Sequence, residues 1–174
     1  LPSASESVAK GRQFDADEPW IYVARIMVCM ASLEGSEAVA AARKAVELNP
    51  GSACARARYG WISCACGDHE RAVAELEHAI ELDPNDADSY HWLAETMNYM
   101  GEPERGLELA NTAMRFSPHL HGAVLAHSNY LLGRYDEAIA TLYDAKVRAP
   151  GYVRFGWKTA LTSGTGIPWL DRIE

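Results

Sequence analysis

Several groups of side chains could in principle do chemistry. Cys64, Cys66 and His69 lie close together, a spacing that invites a metal-binding reading. Residues two apart on a helix point about 200° apart, so an intact helix does not offer Cys64 and Cys66 to one ion. His119 and His121 could converge in a turn, but no fixed third ligand accompanies them. Glu75, Glu77 and Glu81 resemble paired acid–base carboxylates, yet their spacing reads as the solvated face of a helix. Serine, histidine and aspartate are scattered without a nucleophile elbow, and the Gly164-Thr165-Gly166 run lacks the lysine of a phosphate loop. No catalytic residue, metal or cofactor is therefore expected. Cys29, Cys54, Cys64 and Cys66 read as buried free thiols in a reducing cytosol, since a chain of 174 residues needs no disulfide staples.

The elements that would position any site are set by a repeat. Pro50, Pro84 and Pro118 are spaced by 34, as are Leu48, Leu82 and Phe116, and Ala45, Ala79 and Ala113. Ala38, Ala72 and Gly106 hold another recurring place, and Phe14 lies 34 before Leu48. A further unit closes at Pro150 with Gly133, Ala138, Leu142 and Ala145 in the same order; it is 32 residues long, the loss falling near His119–Gly122. Small residues at fixed places let two antiparallel helices approach closely. Gly67, Gly101 and Gly133 supply the positive φ that ends a helix in a tight turn. The closing prolines end each second helix. Asp68 and Asp86 suit N-caps, and Pro103 suits a first helical position.

This pattern resembles the tetratricopeptide (TPR) repeat. The resemblance implies an all-α fold, a right-handed superhelix (α-solenoid) of about four helix-turn-helix repeats with partial capping helices. The register predicts helices at 19–32 and 36–48, 53–66 and 70–82, 87–100 and 104–116, and 121–132 and 136–148. Residues 1–18 would hold a helix (4–14) of a preceding repeat, so that the chain starts mid-array. Residues 19–52, 53–86, 87–118 and 119–150 would form the four units, and 151–174 a capping helix (152–162) and tail. The run WLAETMNYMGEPERGLELANTAMRFSPH, followed by LLGRYDEAIATL, is similar to the C-terminal arrays of bacterial class III adenylate/guanylate cyclases and related regulators. That likeness implies a regulatory or scaffolding array in bacterial signalling. No cyclase active-site residue carries over. Arg56, Tyr59, Gly60 and Ser63 depart from the family's first-helix pattern in unit two, as Arg25 and Ile26 do in unit one.

In such an array the first helix of each pair lines the concave surface. The helical period puts Trp20, Val23, Met27 and Met30 there in unit one, and Cys54, Ala57, Trp61 and Cys64 in unit two. Unit three supplies Asp88, His91, Glu95, Asn98 and Tyr99. Unit four supplies Ala123, His127, Tyr130 and Leu131, and Trp157 follows. The expected function is non-catalytic protein–protein interaction, with a peptide or partner domain in a partly apolar groove. A missing unit or the chain's own tail covering that groove, a small-molecule sensor using Trp61, His91 and Tyr99, and self-association through open ends are the alternatives. Val23, Met27, Ala57 and Trp61 stand where a clamp for a C-terminal carboxylate needs Lys, Arg and Asn.

Composition narrows the partners. The formal charge is −8 and apolar residues make up 48%, which excludes a basic nucleic-acid footprint and a disordered chain. No apolar run reaches the roughly 18 residues of a membrane span, and no start resembles a secretory signal, so a cytoplasmic location is expected. Residues 68–108 carry twelve acids and two bases. Asp88 and Glu95, the groove members of this band, predict a partner with a basic residue near an apolar anchor.

Overall fold

The computed structural model describes residues 35–118 and 121–148. Seven helices fill them: α1 (Gly35–Leu48), α2 (Ala53–Ala65), α3 (His69–Leu82), α4 (Ala87–Tyr99), α5 (Pro103–Phe116), α6 (Gly122–Leu131) and α7 (Tyr135–Arg148). No strand occurs among the described residues. Each helix agrees with its expected range to within a residue or so at either end. The helices expected over 4–14, 19–32 and 152–162 lie outside the described residues.

Local chemistry starts and stops each helix. Ser52, Asp68 and Asp86 cap α2, α3 and α4 by accepting the backbone N–H of Ala55, Arg71 and Ser89. Pro103 opens α5, where its missing N–H costs nothing. The α2–α3, α4–α5 and α6–α7 turns share one design. Gly67, Gly101 and Gly133 take φ of 82°, 80° and 73°. The next N–H, from Asp68, Glu102 or Arg134, then reaches back to Ser63, Met97 or Asn129 at 2.9 Å. These bonds satisfy carbonyls that the helix end leaves open.

Packing is closest within the pairs α2/α3, α4/α5 and α6/α7, and each pair then leans on its neighbours in sequence. The first helices also touch across repeats, α2 against α4 and α4 against α6. On the second helices the buried stripe is small: Ala38, Ala41, Ala42 and Ala45 on α1; Ala72, Leu76 and Ala79 on α3; Gly106, Ala110 and Ala113 on α5. Hydrophobic clusters are strung along the array. One joins Ala38 and Ala42 to Tyr59 and Ile62, and the next joins Leu76 to Leu93 and Met97. A third joins Ala94 and Ala110 to Val124.

Close approach leaves no room at the crossings. A Cβ added to Gly60 would overlap the Leu76 side chain, and one at Gly122 would come within 2.7 Å of the Ala145 Cβ. Gly60→Ala is thus expected to lower stability by about 1–3 kcal/mol, against the roughly 1 kcal/mol that alanine gains over glycine in a helix. A urea unfolding midpoint checks this; a midpoint at or above wild type would contradict the crossing.

Candidate binding groove

The first helices α2, α4 and α6 lie side by side, and their facing side chains form a continuous strip. Trp61 of α2 and Trp92 of α4 have ring centroids 5.1 Å apart. His91 meets the Trp92 ring edge-on at 4.6 Å and lies 5.0 Å from His121, the N-cap residue just before α6. The Arg58 guanidinium sits 5.7 Å from the Trp61 ring centroid, a cation–π distance. Arg58 Nη2 and His121 Nε2 approach opposite oxygens of Asp88, each at 3.8 Å. One carboxylate thereby links α2, α4 and α6.

A second cluster lies further along α4 and α6. His127 Nδ1 is 3.2 Å and 3.3 Å from the two Glu95 oxygens. Tyr99 lies edge-on to His127 at 6.0 Å and stacks on His69 of α3 at 5.9 Å. The two clusters hold protons differently. Burial pulls the His91 imidazole down to about 4, helped by the neighbouring His121. His121 is also lowered, chiefly by burial, although Asp88 and Asp86 oppose it. Burial pulls His127 down too, but its hydrogen bond to Glu95 and the Glu95 charge outweigh that and hold it above the usual histidine range. Glu95 is pushed up by burial and pulled further down by His127, ending below the usual carboxylate range.

Between α2 and α4 the strip opens into a cavity of about 130 Å³, walled by Ala53, Cys54, Ala57, Arg58, Asp83, Asp86, Asp88 and Trp92. Three aspartates and one arginine are among its lining residues, and only Asp88 is within ion-pair distance of Arg58.

The expected groove residues divide sharply. Trp20, Val23, Met27, Met30, Trp157 and Cys29 lie outside the described residues, as does His119. Asp88, His91, Glu95, Tyr99 and His127 come together on the strip, and Tyr130 is half-buried beside Tyr135, 5.5 Å away. Trp61 is only 8% exposed, wedged between the α1 cluster and Trp92. Asn98 is turned into the helix seam against Gly106, where its Oδ1 accepts a hydrogen bond from Ser128 Oγ at 3.1 Å. It is buried and faces the second helix of its own pair.

Two further expectations need correction. Cys54 and Cys66 are exposed, because Cys54 sits in the first turn of α2 at the open cavity and Cys66 at the C-terminal end of α2; Cys64 alone of the described thiols is buried. Burial pushes the Cys64 thiol up to about 11, so it stays protonated at neutral pH. Glu75 is not a solvated carboxylate. It holds Arg56 Nη1 at 2.8 Å with both side chains under one-fifth exposed. Among the described residues no group of three His, Cys, Asp or Glu is arranged to hold a metal ion. No described helix is long and apolar enough to cross a membrane.

Sequence reasoning missed Arg58, Trp92, His121 and the Asp83/Asp86 wall. Trp92 follows Trp61 by 31 residues, three short of the repeat, so aligned repeats do not pair the two indoles.

Residues 60–101 match the family model described as TPR repeat. Solved structures show the same architecture over most of the chain. A thermophilic TPR protein of Thermus thermophilus matches with TM-score 0.76 at 16% identity, covering 89% of this chain and 87% of that one. The fold is that of a TPR array. MamA (residues 41 to the end) from Desulfovibrio magneticus RS-1 matches with TM-score 0.68 at 18% identity, covering 82% and 84%. Another MamA crystal structure gives TM-score 0.65 at 21% identity, covering 82% and 85%. No curated protein sequence gives a match.

The Glu95–His127 pair in this TPR groove has a defined pH window. The raised His127 contributes stability that is complete below the unfolded histidine pKa, about 6.5, and is lost as pH rises through its folded value. The lowered Glu95 contributes stability that is present above the unfolded glutamate pKa, about 4.3, and is lost as pH falls through its folded value. Wild type should therefore exceed His127→Gln in stability most between about pH 4.5 and 6.5, and the gap should close above that window. Thermal melts of both proteins across pH check this. A gap that stays constant from about pH 5 to 9 would mean that the pair carries no titrating charge.

Proposed function

We propose that this chain is a non-catalytic interaction module whose concave face takes a peptide or partner domain, with α2, α4 and α6 supplying the contacts. The carrying observation is the strip itself. Three first helices set aromatic rings, imidazoles and carboxylates side by side and end in an open acidic cavity. Such a mixture suits recognition by aromatic anchors and charge. The protonated Cys64 and the engaged Glu95 supply no activated nucleophile or free base. Repeat arrays use concave surfaces of this kind for binding. The likeness of residues 92–119 to cyclase-linked arrays supports a regulatory place in a cytoplasmic bacterial signalling protein.

A second reading, self-association, is favoured by α7. Tyr135, Ile139, Tyr143 and Val147 recur every fourth residue and are 58%, 42%, 52% and 79% exposed. Such a stripe is what a further helix or a second copy would cover. Under this reading the light-scattering mass rises with concentration and Tyr143→Asp abolishes the rise; a mass that stays at one chain rejects it.

The groove reading is tested with a partner captured by cross-linking to the wild-type chain. The double variant Asp88→Lys/Tyr99→Ala should lose that partner, whereas Glu104→Lys, at the outer start of α5, should keep it. Raising salt from low to physiological strength should slow association by roughly tenfold. Undiminished binding by the double variant, at a salt-independent on-rate, would remove the concave face from the function.

A further inference from the structure

We propose that the seam between α4 and α6 is an acid-sensitive hinge, which opens at its His91–His121 end and stays closed at its Glu95–His127 end. Two titratable contacts cross this seam, and they answer a falling pH in opposite directions.

His91 of α4 and His121 at the start of α6 meet with ring centroids 5.0 Å apart. His121 is 1% exposed, and neither of its ring nitrogens has a hydrogen-bond partner; His91 Nδ1 is likewise buried and unpartnered. Unpaired polar atoms of this kind are rare in folded chains. A neutral imidazole tolerates such a place, whereas an imidazolium adds a desolvated charge. One turn further along α4, the Glu95 oxygens stand 3.2 Å and 3.3 Å from His127 Nδ1. There a proton on the imidazole completes an ion pair.

The surroundings do not rescue charge at the first contact. The charged groups that act there are Asp86, Asp88 and Glu95 from α4 and its cap, with Arg58 from α2. Asp88 lies 3.8 Å from His121 Nε2, beyond hydrogen-bond length, and its other oxygen faces Arg58 at the same distance. From α5, Ala110 packs on Val124, and from α7, Ala145 lies against Gly122, so both present apolar carbon to the first turn of α6. Burial accordingly lowers both imidazoles, His91 to about 4 with the help of His121. The start of α6 is also loosely tied. Ser52 and Asp86 cap α2 and α4, but the His121 side chain makes no cap bond. The first helical bond of α6, Leu125 N to His121 O, is 3.5 Å long, against 3.1 Å for Arg56 N to Ser52 O in α2.

Opening returns each ring to its ordinary value, about 6.5. The open end then binds more protons than the closed one, so opening gains as pH falls below about 6.5. For His91 alone, going from about pH 7.5 to about pH 5.5 multiplies the opening equilibrium about tenfold, and His121 acts in the same direction. His127 is held above the usual histidine range, so the same acidification tightens its end of the seam. Acid thereby swings the start of α6 away from α4 and bends the concave strip at their junction, whatever the strip binds.

Native-state amide exchange on the ¹⁵N-labelled whole chain tests the hinge, with rates corrected for the intrinsic effect of pH. From about pH 7.5 to about pH 5.5, protection at Leu125 and Ala126 should fall by about tenfold or more. At Tyr130 and Leu131, beyond His127, it should hold or rise. His91→Phe keeps a ring against Trp92 and removes one titrating group; it should shrink the acid-induced loss about tenfold. His121→Asn, which sets a capping side chain before α6, should shrink it as well. His127→Gln should keep the acid response at Leu125 and loosen Tyr130. Equal protection of Leu125 at both pH values, an equal fall along all of α6, or an acid-induced loss that persists in both His91→Phe and His121→Asn would each overturn the hinge. So would a His91 ¹³Cε1 resonance in the wild-type chain that titrates at or above about 6.5, whatever the variants do.

Discussion

Everything in this array depends on how closely two helices can lie at their crossing. Gly60 beneath Leu76, Gly106 beneath Asn98 and Gly122 beneath Ala145 leave no space for another carbon. Small stripes on the second helices bring the backbones together but bury little side-chain surface within a pair. The larger residues, Leu93, Met97, Tyr59 and Ile62, therefore find their burial partly against a neighbouring repeat. Stability thus becomes a sum of crossings and repeat-to-repeat seams. The seams also align α2, α4 and α6, so the strip along them is a by-product of how the crossings stack.

The acidic band shows how the same seams sort charge. Glu75 is satisfied by Arg56 within its pair, and Glu77 reaches Arg105 of the next repeat at 2.7 Å. Asp68 caps α3 and holds Arg71, which accounts for its lowered pKa. The pairs at Glu77 and Asp68 are about half exposed and contribute little each. What distinguishes the three carboxylates at the α2–α4 cavity is geometry: one arginine cannot serve them all. The excess negative charge of residues 68–108 is thus neutralised unevenly, the pairs falling at Glu75, Glu77 and Asp68 while Glu70, Glu81, Glu104 and Glu108 stay exposed on the second helices.

The helix boundaries were legible because local signals and the repeat agree. Asp68, Asp86, Pro103, Gly67, Gly101 and Gly133 each act where their chemistry allows little else. The strip was only half legible. Helical phase put Asp88, His91, Glu95, Tyr99 and His127 on one side, and they do assemble. It could not show that Asn98 faces its own second helix, because the Gly106 gap that admits the side chain exists only once two helices cross. Nor could it show the burial of Trp61, which depends on Trp92 arriving from the next repeat at an unmatched register. Phase on one helix fixes a direction; what lies in that direction is set by another helix.

The two histidine clusters show the same rule at work on protonation. His91 and His127 sit on neighbouring first helices, and both are largely enclosed. His91 meets Trp92 and another imidazole, so burial is opposed only weakly and it stays neutral. His127 meets a carboxylate at 3.2 Å, so the ion pair outweighs burial and favours its charge. One groove thereby carries a neutral, acceptor-rich end beside the acidic cavity and an internally compensated end at Glu95. The asymmetry gives the groove a direction along the array, set by which residue each imidazole meets across the repeat seam.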